Sequence, residues 1–264
     1  MTHRLEVRSA RAAHRRSDTP LLFVHGAWLG SWVWDEQVLP YVTAQGYDAY
    51  AVDLRGHGHS DGRRHLRWTR VRDYVRDVAL VAGELGPGTV PIGYSMGGFV
   101  VQKYLEAHRP PAAALVASVP PTGVLPLTLR IARTRPRDFL RTTATLSLYP
   151  LVEDPAQVHA LMFTPELDPA TAASYQRRLQ DESYLAFLDM LALDLVRPRR
   201  IATPLLVVGA QRDELFPEPA VRATAAAYGT TAVSIPGAAH GLMLETHWRA
   251  LADTLLDWLR PRVG

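Results

Sequence analysis

The chain has no cysteine among its 264 residues. That excludes disulfides, a thiol nucleophile and metal sites built on thiolates. It also lacks any stretch of about twenty apolar residues, so no membrane span is expected. The first sixteen residues are basic but carry no apolar core. They do not read as a secretory leader, and cytoplasmic residence is the default expectation. A block of like charge is missing as well. Formal net charge is +3, and the arginines scatter over positions 11–16, 63–72, 130–141 and 197–200. Without a basic face and aromatic stacking partners, no nucleic-acid partner is expected. No His-x-x-x-His pair stands on a helix-like stretch, so neither metal nor cofactor is expected. With 47% hydrophobic and 21% charged residues, the composition is that of a globular domain with a sizeable core.

The chemistry present centres on Gly93-Tyr94-Ser95-Met96-Gly97-Gly98. A short apolar run ends there and a helix-like stretch, 99–107, begins. Gly-x-Ser-x-Gly at a strand-to-helix junction is a nucleophile elbow. The serine is forced into a strained backbone conformation, and Gly93 and Gly97 let strand and helix approach without a Cβ between them. Ser95 then stands above the sheet edge, where the first N–H groups of the helix also point.

Read in order, strands alternate with helices. An edge strand is expected at 5–7, buried strands at 20–24, 112–119 and 205–209, and further strands at 47–54 and 231–235. Helices are expected at 31–43, 71–85, 219–228 and 246–259. Pro91 lacks the N–H a central strand needs, so the elbow strand is expected to start only at Ile92. The stretch 125–196 differs: it shows no strand and reads as helices at 126–135, 137–148, 155–163, 169–180 and 184–196. This pattern predicts an α/β protein with a mostly parallel sheet, helices on both faces and an inserted helical cap. The expected domains are a core, 1–120 and 198–264, and a cap, 121–197, over the carboxyl edge where ligands bind in open α/β sheets.

A serine hydroxyl needs a base within hydrogen-bond reach, and the base needs an orienting carboxylate. Of ten histidines, His240 is singled out because it follows the last strand amid small residues, Pro236-Gly237-Ala238-Ala239-His240-Gly241. The carboxylate should follow another strand. Asp213 in Gly209-Ala210-Gln211-Arg212-Asp213-Glu214 is the expected residue, with Glu214 as the alternative. Backbone donors for an oxyanion are expected from Met96 and from the loop His25-Gly26-Ala27-Trp28, where Ala27 is preferred over Trp28. His25 is expected to buttress that loop. Apolar candidates for the substrate wall are Trp28, Leu29, Met96, Phe187, Met190, Phe216 and Leu242.

These motifs, with Asp53-Leu54-Arg55-Gly56-His57-Gly58-His59-Ser60, resemble the α/β-hydrolase superfamily in its serine esterase and lipase branch. The resemblance covers nearly the whole chain outside the cap. It implies the order Ser95, Asp213, His240 for the catalytic residues. It also implies a structural loop at 53–60, which leaves His57 and His59 without a catalytic role. The segment 25–34 resembles, more locally, the plant-type methylesterases and hydroxynitrile lyases. Tyr94 departs from the pattern, since histidine is frequent there.

The expected function is hydrolysis of a carboxylic ester or thioester with an apolar group, through an acyl-enzyme, on a small-molecule substrate. Acyl transfer or perhydrolysis would use the same residues. A cyanohydrin lyase is disfavoured because such relatives carry lysine after the histidine, where this chain has Gly241. A ligand-binding member of the fold without enzymatic activity is the remaining alternative. Oligomeric state is not legible in the sequence.

Overall fold

The computed structural model describes residues 4–263. Seven strands form one sheet: β1 (Val7–Ala10), β2 (Leu21–Val24), β3 (Ala49–Val52), β4 (Val90–Tyr94), β5 (Ala113–Val116), β6 (Leu205–Ala210) and β7 (Ala232–Ile235). Their order is β1-β3-β2-β4-β5-β6-β7. Only β1 runs antiparallel, at the edge beside β3. It lies a little later than the expected 5–7, although Glu6 still contributes, its carbonyl accepting the Asp53 N–H at 2.9 Å.

The short apolar runs are strands because both faces of the sheet are covered. Alternate side chains enter opposite layers. Leu21, Phe23, Ala114, Val116, Leu206 and Val208 pack on one side. Leu22, Val24, Ala113, Leu115, Leu205 and Val207 pack on the other. The first layer is closed by α1 (Trp32–Asp35), α2 (Val38–Ala44) and, at the chain end, the helix Trp248–Val263. The second is closed by α3 (Val71–Leu85), α4 (Met96–Leu105) and the helix Glu218–Ala227.

Two expectations are corrected here. The stretch 31–43 is not one helix. It breaks at Gln37 (φ −132°, ψ −52°) into two short helices, one burying Trp32, Val33 and Trp34 and the other Val38, Leu39 and Val42. The elbow strand starts at Val90, with Pro91 inside it. The Val90 N–H donates to Pro20 on the β2 side at 2.9 Å. By alternation, the nitrogen of Pro91 faces β5, where pairing begins only at Ile92. The missing donor breaks nothing.

Between β5 and β6 the described chain has no strand. It holds α5 (Leu125–Thr134), α6 (Pro136–Thr145), α7 (Pro155–Met162), α8 (Pro169–Gln176) and α9 (Tyr184–Leu188), which runs into a π-helical turn, Asp189–Leu193. The helices are shorter than expected at their C-terminal ends. The two remaining helices, introduced above, are α10 (Glu218–Ala227) and α11 (Trp248–Val263). Among the described residues no helix is long and apolar enough to cross a membrane.

Candidate active site

The site forms where the chain leaves β2 and β4. The helices after β2 lie on one face of the sheet and α4 on the other, so a crevice opens between the two carboxyl ends. Ser95 sits at the tip of β4 with φ 53° and ψ −117°, the strained turn expected of an elbow. A Cβ at Gly93 would fall 2.7 Å from the Gly98 Cα and against the Gly97 carbonyl, so only glycine allows this approach of strand and helix.

Ser95, His240 and Asp213 form one hydrogen-bonded row. His240 Nε2 is 3.1 Å from Ser95 Oγ, and His240 Nδ1 is 2.8 Å from Asp213 Oδ2. All three side chains are buried. The other Asp213 oxygen accepts the N–H groups of Leu215 (2.7 Å) and Phe216 (2.9 Å). Both of its oxygens are thus fixed, and only one is left for the imidazole. Glu214 points away: its side chain is 67% exposed and lies 3.8 Å from Arg130. Tyr94, in a position where histidine is frequent, donates its hydroxyl to the His240 carbonyl at 3.1 Å.

The loop after β2 brings Ala27 and Trp28 beside Ser95 and Met96. Met96 begins α4, so its N–H has no carbonyl one turn earlier to bind within the helix. The N–H of Trp28 faces Glu182 Oε2 at 3.4 Å, which leaves Ala27 as the better candidate of the two. His25 accepts the Leu54 N–H at 3.1 Å and so ties this loop to the one after β3.

A cavity of about 140 Å³ opens over Ser95 beneath the helices that join β5 to β6. Of the wall residues expected, Trp28, Met96, Phe187, Met190 and Phe216 line it. Leu29 and Leu242 do not. They are packed in the core under the first face of the sheet, where their 2% and 0% exposure leaves nothing for a ligand. Gly241 lies against the helical segment, and a Cβ there would stand 2.6 Å from the Phe163 ring. A lysine after His240 has no room.

The profile of the alpha/beta hydrolase family matches residues 21–254. The chain belongs to the alpha/beta hydrolase family. Among its relatives, a bifunctional esterase/perhydrolase of Acinetobacter calcoaceticus is 38% identical over 118 residues, 40% of this chain and 40% of that protein. A monoacylglycerol lipase of Mycolicibacterium smegmatis is 27% identical over 239 residues, 82% of this chain and 79% of the lipase. The chain spans 40% of the length of the first curated relatives it matches. The solved structure of an esterase from Rhodococcus sp. ECU1013 superposes with a TM-score of 0.73 at 24% identity, covering 99% of this chain and 96% of that one, and shares the fold.

Sequence reasoning missed one group at this site. Glu182, from the segment between α8 and α9, lines the cavity and is fully buried. His57 Nε2 lies 2.9 Å from its Oε2. Burial alone would raise the Glu182 carboxyl pKa, but the His57 charge, its hydrogen bond, and the Ser183 and Tyr74 donors bring it below the usual value. Burial alone would lower that of His57, but the Glu182 charge and hydrogen bond carry it above the usual value. Burial and the neighbouring His57 lower His25 to about 4.

The Glu182 contribution is complete above its unfolded value of 4.5 and is lost as pH falls through the lower folded value. The His57 contribution is complete below 6.5 and is lost as pH rises through the higher folded value. His57→Gln should therefore lower the urea midpoint most between those two values, and the difference from the parent should narrow in acid and in alkali. A difference independent of pH would show that the pair is not ionised.

Proposed function

We propose that this protein is a carboxylic ester hydrolase working through an acyl-enzyme, with Ser95 as nucleophile, His240 as base and Asp213 as the carboxylate that orients the base. The observation that carries this reading is the row Asp213–His240–Ser95 at the floor of an apolar cavity. Ser95 Oγ attacks the ester carbonyl while His240 Nε2 takes its proton. The N–H groups of Ala27 and Met96 receive the negative charge on the former carbonyl oxygen. The C–O bond to the alcohol breaks, and the His240 proton goes to the departing oxygen. Water, deprotonated by the same imidazole, then attacks the acyl carbon and releases the acid and Ser95. The helical segment 121–197 acts as a cap over the core formed by 1–120 and 198–264.

The cavity also argues for a size class. Its volume, about 140 Å³, is close to that of an engineered apolar cavity of about 150 Å³ in another protein, which takes up benzene. A short aliphatic acyl group or a single ring fits without rearrangement. On a series of p-nitrophenyl esters, kcat/KM should rise from acetate to butyrate or hexanoate. It should fall again by about five- to a hundredfold at laurate, because forcing extra methylenes into a packed site costs about 1–3 kcal/mol. A profile that keeps rising to laurate would refute the size argument.

A second reading is favoured by the esterase/perhydrolase among the relatives. If hydrogen peroxide replaces water in the second step, the same acyl-enzyme yields a percarboxylic acid. Peracid formation from ester and peroxide, measured beside acid release, decides between the acceptors.

A further inference from the structure

Trp28, in the loop after β2, is held at three points by the segment between β5 and β6. Its N–H faces Glu182 Oε2 at 3.4 Å, its carbonyl accepts the Gln180 N–H at 2.9 Å, and its indole N–H donates to the Leu148 carbonyl at 3.2 Å. Its φ is 64°. A bulky side chain is an outlier there, and such strain persists only where the surroundings over-determine it. The surroundings here belong to the helical segment.

Glu182 has four donors. Oε2 faces Trp28 N–H and His57 Nε2, while Oε1 accepts from the Tyr74 hydroxyl at 2.7 Å and the Ser183 N–H at 2.6 Å. Although it borders the cavity, this carboxylate is already fully engaged by the protein's own donors. Hydrogen-bond logic also fixes the charge beside it. His57 Nε2 faces Glu182 and Nδ1 faces the Arg55 carbonyl at 3.2 Å, both acceptors, so both nitrogens carry protons. His25, whose ring is 4.9 Å away, accepts an N–H at Nε2 and is neutral. The groups facing His57 are therefore Glu182 from the helical segment, Tyr74 from α3, His25 after β2 and Asp53 after β3.

We propose that Glu182 is a positioning residue for the oxyanion loop: paired with the His57 imidazolium, it takes up the Trp28 N–H and fixes residues 27–28 so that the Ala27 N–H is the one that meets the oxyanion. The pairing also matters for sign. A lone carboxylate at this place would repel the negative charge that develops above Ser95, and the imidazolium cancels it. This inference rests on the acyl-enzyme reading above.

The test separates transition-state from ground-state effects. With butyrate ester, Glu182→Gln should lower kcat about 30- to 300-fold, the scale on which a single oxyanion donor acts. KM should change less than about threefold, because the loop contributes in the transition state rather than in substrate binding. Affinity for butylboronic acid, which forms a tetrahedral anion on the serine, should fall by a similar factor. Tyr74→Phe removes only a donor to Oε1 and should leave kcat within about threefold. A rise in KM at unchanged kcat, or undiminished boronate affinity in folded Glu182→Gln, overturns the proposal. So does a Tyr74→Phe loss as large as that of Glu182→Gln.

Should Glu182→Gln not fold, amide NMR of the unaltered protein decides. On adding boronic acid, the Ala27 and Met96 amides should shift strongly downfield while Trp28 stays. A Trp28 shift in place of Ala27 overturns the proposal. Failure of the acyl-enzyme reading looks different: boronic acid would bind neither protein, and activity would survive loss of Ser95.

Discussion

Ser95→Ala should give a folded protein whose kcat on butyrate ester is at least about a thousandfold lower, since nucleophile, base and carboxylate act as a unit. The fold should survive because alanine keeps the Cβ that packs at the tip of β4 and removes only an oxygen. The backbone there is held from outside the residue. The Ser95 N–H donates to Val116 at 3.0 Å, and the Ser95 carbonyl accepts from Gly98 at 3.0 Å and Val119 at 3.1 Å. What remains in the variant is an oxyanion site without a nucleophile, so some turnover above the solvent rate is expected. The measurement is kcat on purified protein with circular dichroism matching the parent. Folded Ser95→Ala with near-parent turnover would remove Ser95 from the mechanism altogether.

Asp213→Asn should lower kcat by about three to four orders of magnitude, through the tautomer of His240 rather than through the fold. In the parent, Oδ2 faces His240 Nδ1 at 2.8 Å, which requires a proton on Nδ1 and leaves Nε2 free to accept from Ser95 at 3.1 Å. The other oxygen is held by the Leu215 and Phe216 N–H groups. An asparagine must give its oxygen to those two donors. Its amide then points at Nδ1, the imidazole proton moves to Nε2, and the ring donates toward Ser95 when it should accept. Glu214→Gln should change kcat less than about tenfold, because an exposed carboxylate 3.8 Å from Arg130 is a surface pair of little weight. If Glu214→Gln were the damaging change and Asp213→Asn the mild one, Glu214 and not Asp213 would orient the imidazole.

The residues of this row were legible in the sequence because each follows a strand that announces itself. β4 and β6 are apolar runs that carry glycine at their ends, β7 is a short edge strand closed by Pro236-Gly237, and the chemistry sits in the next few positions. The layers of the core were legible for the same reason: Leu21-Leu22-Phe23-Val24 can be apolar throughout only where both faces are covered. The break at Gln37 was hidden because Asp35-Glu36-Gln37 holds no glycine or proline, and Trp34 and Val38 keep the i, i+4 spacing of one continuous helix. Pro91 misled because a strand's pairing on each side is invisible from its own residues.

Glu182 was the deepest omission. Its donors come from positions 28, 57 and 74, far away in the chain, and from its neighbour Ser183. The local signal pointed elsewhere, since Asp181-Glu182-Ser183 before an apolar stretch reads as an ordinary helix start. Ser183 is indeed the N-cap of α9. Nothing short of the fold distinguishes a carboxylate that decorates a helix start from one buried under the loop after β2.

The grip of residues 180–183 on Trp28 and on the glycine loop has a consequence for recombination. Gln180 alone receives the Gly58 N–H at 3.0 Å, donates to the Gly56 carbonyl at 2.9 Å and donates its own N–H to Trp28. A chimera that exchanged only the helices between β5 and β6 for those of another hydrolase would import a new cavity and discard the supports of the native loop. Crossovers placed after Ser183, or a transplant that carries positions 28, 57 and 74 together with 180–183, should retain turnover. Crossovers that divide this set should yield folded chimeras that bind ester and release little acid.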